Sequence, residues 1–130
     1  MRTVEKLIPA AINAVNDKMA KDGKVNSAYK GYISSLGAGI IQSGLLPTLA
    51  MYKGNEDSDK KKANTGCLLN AIFDVIRTKP SSTIQDKDDL FDYALRASQQ
   101  QNNRQSVIDE ILHASIAIKL AIRTFKLEDL

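Results

Sequence analysis

Residues 104–126 read RQSVIDEILHASIAIKLAIRTFK, and this stretch decides the fold class. Its apolar residues recur at the three- and four-residue intervals of an α-helix, and they cover most of the helix circumference. The set comprises Val107, Ile108, Ile111, Leu112, Ile116, Ile118, Leu120, Ala121, Ile122 and Phe125, and the small residue Ser115 lies on the same surface. A helix that is apolar on nearly every side normally lies among other helices. We therefore expect residues 104–126 to form the central helix of a bundle.

Five further segments have helical patterns and would supply the surrounding helices. They span residues 3–21, 26–44, 45–52, 61–78 and 87–98. No segment shows the sustained apolar–polar alternation of a half-buried strand. Aromatic residues make up 5% of the chain and Trp is absent, which is low for a sheet protein. The pattern predicts an all-α, single-domain bundle of about six helices over residues 1–130, with the C-terminal helix largely buried.

Proline, glycine and polar residues set the expected helix boundaries. Pro9 lies in the first helix, which either kinks there or starts there with the proline in its first turn. Asp22-Gly23 predicts a turn, Asn26 or Ser27 an N-cap, and Gly44 a glycine just past a helix end. The polar run 53–64, KGNEDSDKKKAN, predicts an exposed loop.

Three glycines fall inside the second helix, at Gly31, Gly37 and Gly39. Each glycine weakens helix propensity by about 1 kcal/mol relative to alanine. Their presence predicts that another helix or backbone packs closely against that face.

Charge and cysteine content limit the class of protein. The net charge of +3 and the pI near 9.0 are too mild for a stand-alone nucleic-acid binder. Residues 1–65 carry ten basic and six acidic side chains and the remainder eight and nine, which suits a surface shared with partners. The single cysteine, Cys67, favours an intracellular, cytoplasmic protein and a buried small side chain. Without a signal peptide or a run of roughly 20 apolar residues, no membrane association is expected.

The residue pattern holds little catalytic or metal-binding chemistry. His113 has Asp109 and Glu110 on the same helical face, which fits a general base oriented by a carboxylate or, more simply, ordinary helix charges. The acidic residues Asp86, Asp88, Asp89 and Asp92 fit either a cation site or helix caps, and their spacing does not match an EF-hand. We expect a non-enzymatic protein with no catalytic residues, no metal and no cofactor.

Basic side chains are the more informative group. Lys18, Lys21 and Lys24 cluster at the end of the first helix, while Lys119, Arg123 and Lys126 form one stripe on the last helix. Lys60, Lys61 and Lys62 form a short run. Such positions either bind phosphates without sequence preference or form solvated helix faces. The residues alone thus indicate a helical domain that binds an acidic partner. Two alternatives stay open: a helical protein–protein adaptor without nucleic-acid binding, and an enzyme whose catalytic residues would have to be assembled across helices.

The segment Tyr29–Tyr52, YKGYISSLGAGIIQSGLLPTLAMY, resembles the hallmark region of one protein family. That family is the small subunit of the type III-B CRISPR RNA-guided effector, the Cmr complex. An aromatic-led helix with a small-residue face is followed there by an I-x-x-x-G-L-x-x-x-L-A pattern, which corresponds here to Ile40, Gly44, Leu45, Leu49 and Ala50. The closing stretch 118–126, IKLAIRTFK, is similar to the family's C-terminal helix. The chain departs from the family at Ser34-Ser35, where a basic residue is usual, and Lys30 stands one turn earlier.

The resemblance implies a function in antiviral defence. Small subunits of this family stack along the effector beside the subunits that hold the guide RNA, and they contribute basic residues to the groove for guide and target RNA. The implied partners are the other Cmr subunits, further copies of the chain, guide RNA and target RNA, with cleavage and signalling-nucleotide synthesis assigned to other subunits. The residues predicted to contact phosphates are Lys18, Lys21, Lys24, Lys30, Lys119, Arg123 and Lys126, with a polar contact from Tyr29 or Tyr32.

Overall fold

The structure is a computed structural model that describes residues 2–53, 65–77, 89–99 and 104–128. The helices in these ranges are α1 (Arg2–Lys18), α2 (Ala28–Ser43), α3 (Leu45–Lys53), α4 (Thr65–Arg77), α5 (Leu90–Ser98) and α6 (Arg104–Ile122). Two three-residue strands, β1 (Lys24–Asn26) and β2 (Lys126–Glu128), pair in parallel. The all-α bundle predicted from the sequence is confirmed. The exposed loop predicted after Lys53, its Lys60–Lys62 run, Asp86 and Asp88 lie outside the described residues.

Helix α6 lies at the centre of the bundle. It packs against α1, α2, α4 and α5, and its residues Ile111, Ala114, Ala117, Ile118 and Ala121 have no exposed surface. The largest of its interfaces joins it to α1, whose Ala11 and Val15 are also fully buried. Small alanines on both helices allow the two backbones to approach closely, and the isoleucines fill the remaining space. The prediction of a largely buried C-terminal helix is confirmed.

Local capping signals define several of the helix ends. Gly44 follows α2 with φ of 98°, and its N–H donates to the carbonyl of Ile40 over 3.2 Å. Asp89 and Asp92 form a reciprocal capping box at the start of α5, as expected for acidic residues at an N-terminus. Helix α1 begins at Arg2 and continues through Pro9, so it does not start at the proline.

The predicted helix over 104–126 ends earlier than expected. The regular helix stops at Ile122. Three hydrogen bonds that each span three residues follow, from the N–H groups of 123–125 to the carbonyls of 120–122. The Thr124 hydroxyl also donates to the Ala121 carbonyl over 2.7 Å. These bonds satisfy the carbonyl groups at the end of the helix and release the chain into β2. Lys126 therefore lies on a strand and does not continue the helical stripe of Lys119 and Arg123.

The small parallel sheet was not predicted. Asp22 and Gly23 have positive φ angles of 55° and 76°, and the backbone groups of Lys21 and Lys24 pair across them over 2.8 and 3.0 Å. Asp-Gly is a strong signal for such a turn, and it redirects the chain from α1 into β1. Strands of three residues are too short to show alternation, and their partner is distant in sequence. The turn was predictable, whereas the strand pairing was not.

The glycines of α2 differ from the prediction. A Cβ added to Gly39 would lie 3.0 Å from Cγ2 of Thr48 on α3, so close packing is confirmed at this position. At Gly31 and Gly37 an added Cβ would meet nothing within 4 Å, so the expected close approach is wrong there. The tight corner between α2 and α3 accounts for one of the three helical glycines.

We expect Gly37→Ala to stabilise the protein by about 0.5–1 kcal/mol, because the helix gains propensity and the new methyl group meets no atom. Urea unfolding of the purified chain measures the change. Gly39→Ala is the matched control in the same helix, and its crowding against Thr48 should remove the gain or turn it into a loss. Equal effects at the two positions would contradict this account of the α2 surface.

Candidate nucleic-acid interface

Three basic side chains, from α2 and the C-terminal end of α6, meet around one depression. Lys30 on α2 and Lys119 on α6, with Arg123 just after α6, line a cavity of about 200 Å³. Its remaining lining comes from Ile33, Ser34 and Ile122. A water molecule takes up about 30 Å³ of liquid, so the depression has room for a phosphate group with several waters.

The packing of α2 on α6 creates this arrangement. Ile33 and Ile122 are buried, at 3% and 1% exposure, and they form the floor of the depression. Lys119 lies in the last turn of α6, and Arg123 follows in the turn that closes the helix, where its N–H donates to the Leu120 carbonyl. Both side chains line the depression. Lys30 and Ser34 are separated by four positions on α2 and therefore share one side of that helix. When the apolar faces of the two helices join, these exposed polar side chains are left along the two rims.

The rims carry positive charge that is not neutralised within the described residues. In the described part of the chain, no carboxylate lies within ion-pairing distance of Lys30, Lys119 or Arg123. A concave surface with charges of one sign over an apolar floor concentrates the electrostatic potential and attracts counter-ions. The arrangement is suited to binding an anion such as a phosphate group.

Lys24 and Lys126 lie together at a different place, on the small sheet. The parallel register pairs Lys24 with Lys126, and both ammonium groups contact the carboxylate of Glu128, over 3.5 and 3.1 Å. Each of these lysines therefore already has an anionic partner within the chain.

Lys18 and Lys21 lie near the end of α1. The Lys18 ammonium group lies 3.5 Å from a carboxylate oxygen of Asp17 and 3.8 Å from one of Asp74 on α4. Burial raises the pKa of Asp74, and the nearby Lys18 and Arg77 only partly offset that rise. Lys21 is exposed beside the Asp22-Gly23 turn. The roles predicted for Lys18, Lys21, Lys24 and Lys126 stay predictions, and the structure joins none of them to the Lys30 depression.

The two tyrosines proposed as polar contacts differ in exposure. Tyr29 is 1% exposed and packs edge-on against Tyr32, with ring centroids 6.2 Å apart. It therefore belongs to the core, and the prediction of a surface contact from Tyr29 is wrong. Tyr32 is half-buried, and its carbonyl accepts a hydrogen bond of 3.0 Å from the Tyr52 hydroxyl on α3. These contacts fix α2 against α3 and so hold the rim that carries Lys30.

The carboxylates near His113 have other partners. Glu110 accepts a hydrogen bond of 2.5 Å from the Tyr93 hydroxyl on α5, and Asp109 accepts one of 3.0 Å from Gln105. Burial and the Glu110 carboxylate raise the pKa of Tyr93. This pair joins α5 to α6, so the structure favours a structural role for Glu110 over that of orienting a general base.

The acidic residues at α5 act as caps. Asp89 accepts from the Asp92 backbone N–H over 2.8 Å, and its carboxylate lies 3.1 Å from the Lys53 ammonium group. Burial favours a higher pKa for Asp89, but these hydrogen bonds and the Lys53 charge outweigh it and lower the pKa. Among the described residues, no group of three or more His, Cys, Asp or Glu side chains is arranged to hold a metal ion.

A second depression, of about 220 Å³, shows that size alone does not identify the site. It lies between the α2–α3 corner and helices α5 and α6, and it is lined by Ser43, Gly44, Leu45, Leu46, Pro47, Ala94, Ala97, Ser98 and Val107. None of these side chains ionises, so this depression provides no charge for binding an anion.

Cys67, expected to be buried, is only half-buried on α4.

All three cations around the depression were singled out from the sequence, but their proximity in the fold was not predicted. The four-residue spacing placed Lys119 beside Arg123, and Lys30 was singled out separately. Ser34 was missed as a residue of the depression, although its four-residue spacing from Lys30 was a usable signal.

Along the described ranges, none of the helices combines the length and apolar character that a bilayer crossing requires.

Comparison with known proteins gives one match. The model of the family described as CRISPR-associated protein (Cas_Cmr5) matches residues 5–120. No match is found among curated proteins or among solved structures. The family match extends from the first turn of α1 through most of α6, and so includes two of the three cations around the depression.

Proposed function

Because the chain belongs to the Cas_Cmr5 family, the small subunits of the type III-B CRISPR (Cmr) effector complex, we propose that it is a non-catalytic subunit that binds RNA backbone within that complex. In this proposal, copies of the chain stack along the effector. Each copy places Lys30, Lys119 and Arg123 against phosphates of the guide or target RNA.

One observation carries the RNA-binding part of the proposal. Three cations that have no carboxylate partner among the described residues converge on a single depression from α2 and the C-terminal end of α6. In an RNA-guided effector, base pairing between guide and target reads the sequence, and the protein recognises the backbone. A phosphate site without aromatic stacking residues is suited to that task.

The mild overall charge fits a subunit that acts in an array. A net charge of +3 supports only weak binding by one isolated chain. Linking several weak sites along one RNA raises the overall affinity because each further contact becomes intramolecular. We therefore infer that the chain retains RNA firmly only within the assembled complex, and that chemistry on the RNA belongs to other subunits.

A second candidate function is protein contact without RNA binding. Residues 31–52 contain no charged side chain, and Ile41 and Met51 within this segment are 77% and 80% exposed. Large exposed apolar side chains in an uncharged segment are typical of a protein interface. In the favoured proposal this surface contacts neighbouring subunits, whereas in the adaptor alternative it is the functional surface.

Affinity purification of the chain from its native host tests the proposal. We expect recovery of the other Cmr subunits together with short guide RNAs, identified by mass spectrometry and RNA sequencing. Recovery of unrelated proteins without RNA would reject the proposal and favour the adaptor.

The salt dependence of RNA association separates the two candidates further. Phosphate contacts impose a steep loss of affinity with rising salt, because bound counter-ions are released on association. An adaptor that is associated with RNA only through other proteins would not bind RNA as a purified chain, so it would show no salt-dependent RNA binding.

A further inference from the structure

Glu128 lies between two of the lysines that the proposed function leaves unused. Its carboxylate oxygens lie 3.5 Å from the Lys24 ammonium group and 3.1 Å from that of Lys126. Lys24 and Lys126 face each other across the parallel strands β1 and β2. One carboxylate therefore contacts two cations from opposite ends of the chain.

The strand pairing dictates this geometry. Lys126 and Glu128 are two positions apart on β2, so their side chains project from the same face of the sheet. Lys24 occupies the paired position on β1 and projects from that face as well. The backbone of Glu128 is held in place because its carbonyl accepts a hydrogen bond of 2.9 Å from the Ser27 N–H. Two like charges directly opposite each other repel, and Glu128 offsets this repulsion.

We propose that Lys24 and Lys126 form a second phosphate-binding site, which the Glu128 carboxylate occupies in the free subunit as an internal competitor of RNA. The inference rests on the proposed function. It adds that the chain limits its own RNA affinity at the sheet edge. RNA phosphates gain this site when Glu128 turns away from the lysines.

Charge and exposure make such an exchange feasible. A phosphodiester carries one negative charge, as does ionised Glu128, and each bonds ammonium groups through oxygen atoms. The hydrogen bond from Lys126 and the charge of Lys24 lower the pKa of Glu128, so the carboxylate is ionised at neutral pH. The Lys126 side chain is 70% exposed and that of Lys24 is 43% exposed. Ion pairs that are this exposed are weak and are readily exchanged for another anion.

Glu128→Gln in the full chain tests the inference, since it removes the charge and keeps the shape. A fluorescent oligouridylate is the probe, and its affinity is measured over about 50 to 200 mM salt. We expect Glu128→Gln to tighten binding about threefold at low salt. The salt slope should steepen by roughly 0.7 to 1.4, which corresponds to one or two added phosphate contacts.

Two comparisons make the outcome decisive. Glu5→Gln is the matched control, because it changes the net charge equally at an exposed position on α1. In the background Lys24→Ala/Lys126→Ala, the gain from Glu128→Gln should vanish. An unchanged slope in Glu128→Gln, an equal gain in Glu5→Gln, or a gain that persists without the two lysines would each overturn the inference.

The test also separates this inference from the proposed function. If Lys119→Glu/Arg123→Glu weakens oligouridylate binding while Glu128→Gln leaves it unchanged, the sheet-edge site is rejected and the main interface stands. If the double charge reversal has no effect while Glu128→Gln tightens binding through Lys24 and Lys126, the sheet edge is the phosphate site and the assignment of the depression fails. Thermal unfolding of each variant confirms that the fold is kept.

Discussion

Charge reversal at Lys119 and Arg123 is expected to weaken RNA binding by about 10- to 100-fold at low salt. The double variant removes two of the proposed phosphate contacts and places two carboxylates at the rim of a depression whose remaining cation is Lys30. The slope of log affinity against log salt should become shallower by roughly 1.4, because each phosphate contact on a single strand contributes roughly 0.7. Fluorescence titration with a single-stranded RNA measures both quantities, and retention of target RNA by the assembled complex should fall in parallel.

Lys6→Glu is the control for overall charge. It makes the same change in charge as Lys119→Glu at an exposed position near the start of α1, and Lys6 does not line the depression. We expect Lys6→Glu to alter binding far less than Lys119→Glu. All of these side chains are exposed, so none of the changes should lower the melting temperature appreciably. Unchanged RNA binding in a folded double variant would reject the depression as the RNA interface.

Ile118→Ala is expected to destabilise the protein by about 2–5 kcal/mol, which is the largest stability effect among these predictions. Ile118 has no exposed surface and belongs to the helix that packs against α1, α2, α4 and α5. Truncation removes apolar contacts and leaves a cavity that neighbours on several sides cannot all move to fill. Chemical unfolding should report the loss, and the melting temperature should fall by roughly 10 °C or more.

Leu120→Ala is the matched control on the same helix. Leu120 is 36% exposed, so its truncation should cost under about 1 kcal/mol and leave no enclosed cavity. A loss at Leu120 equal to that at Ile118 would contradict the orientation of α6 described here. The comparison also tests the sequence interpretation, because the apolar pattern of residues 104–126 includes both positions and does not distinguish them.

Most of the helical architecture was predictable because its causes are local. Periodicity over a few turns identified each helix that the structure describes. The glycine at 44 and the aspartates at 89 and 92 marked ends through hydrogen bonds spanning three or four residues. The errors fall where distant residues compete with local preference. The sequence of residues 123–126 continues the helical pattern, yet Lys126 lies on β2, which pairs with β1, and not on the helix.

In the candidate interface, too, some features follow from the local sequence and others depend on contacts between distant residues. The four-residue spacing predicted that Lys119 lies beside Arg123, and the turn that follows α6 keeps both residues at the depression. Lys30 joins them only because Ile33 and Ile122 bury their side chains where α2 meets α6. Likewise, Glu128 contacts Lys24 only because the first and last strands pair. Local hydrogen bonding and periodicity act within a few residues and are readable in the chain. The choice of which faces meet depends on burying apolar surface across the whole fold, and that choice determines which charges line the depression and which are already neutralised.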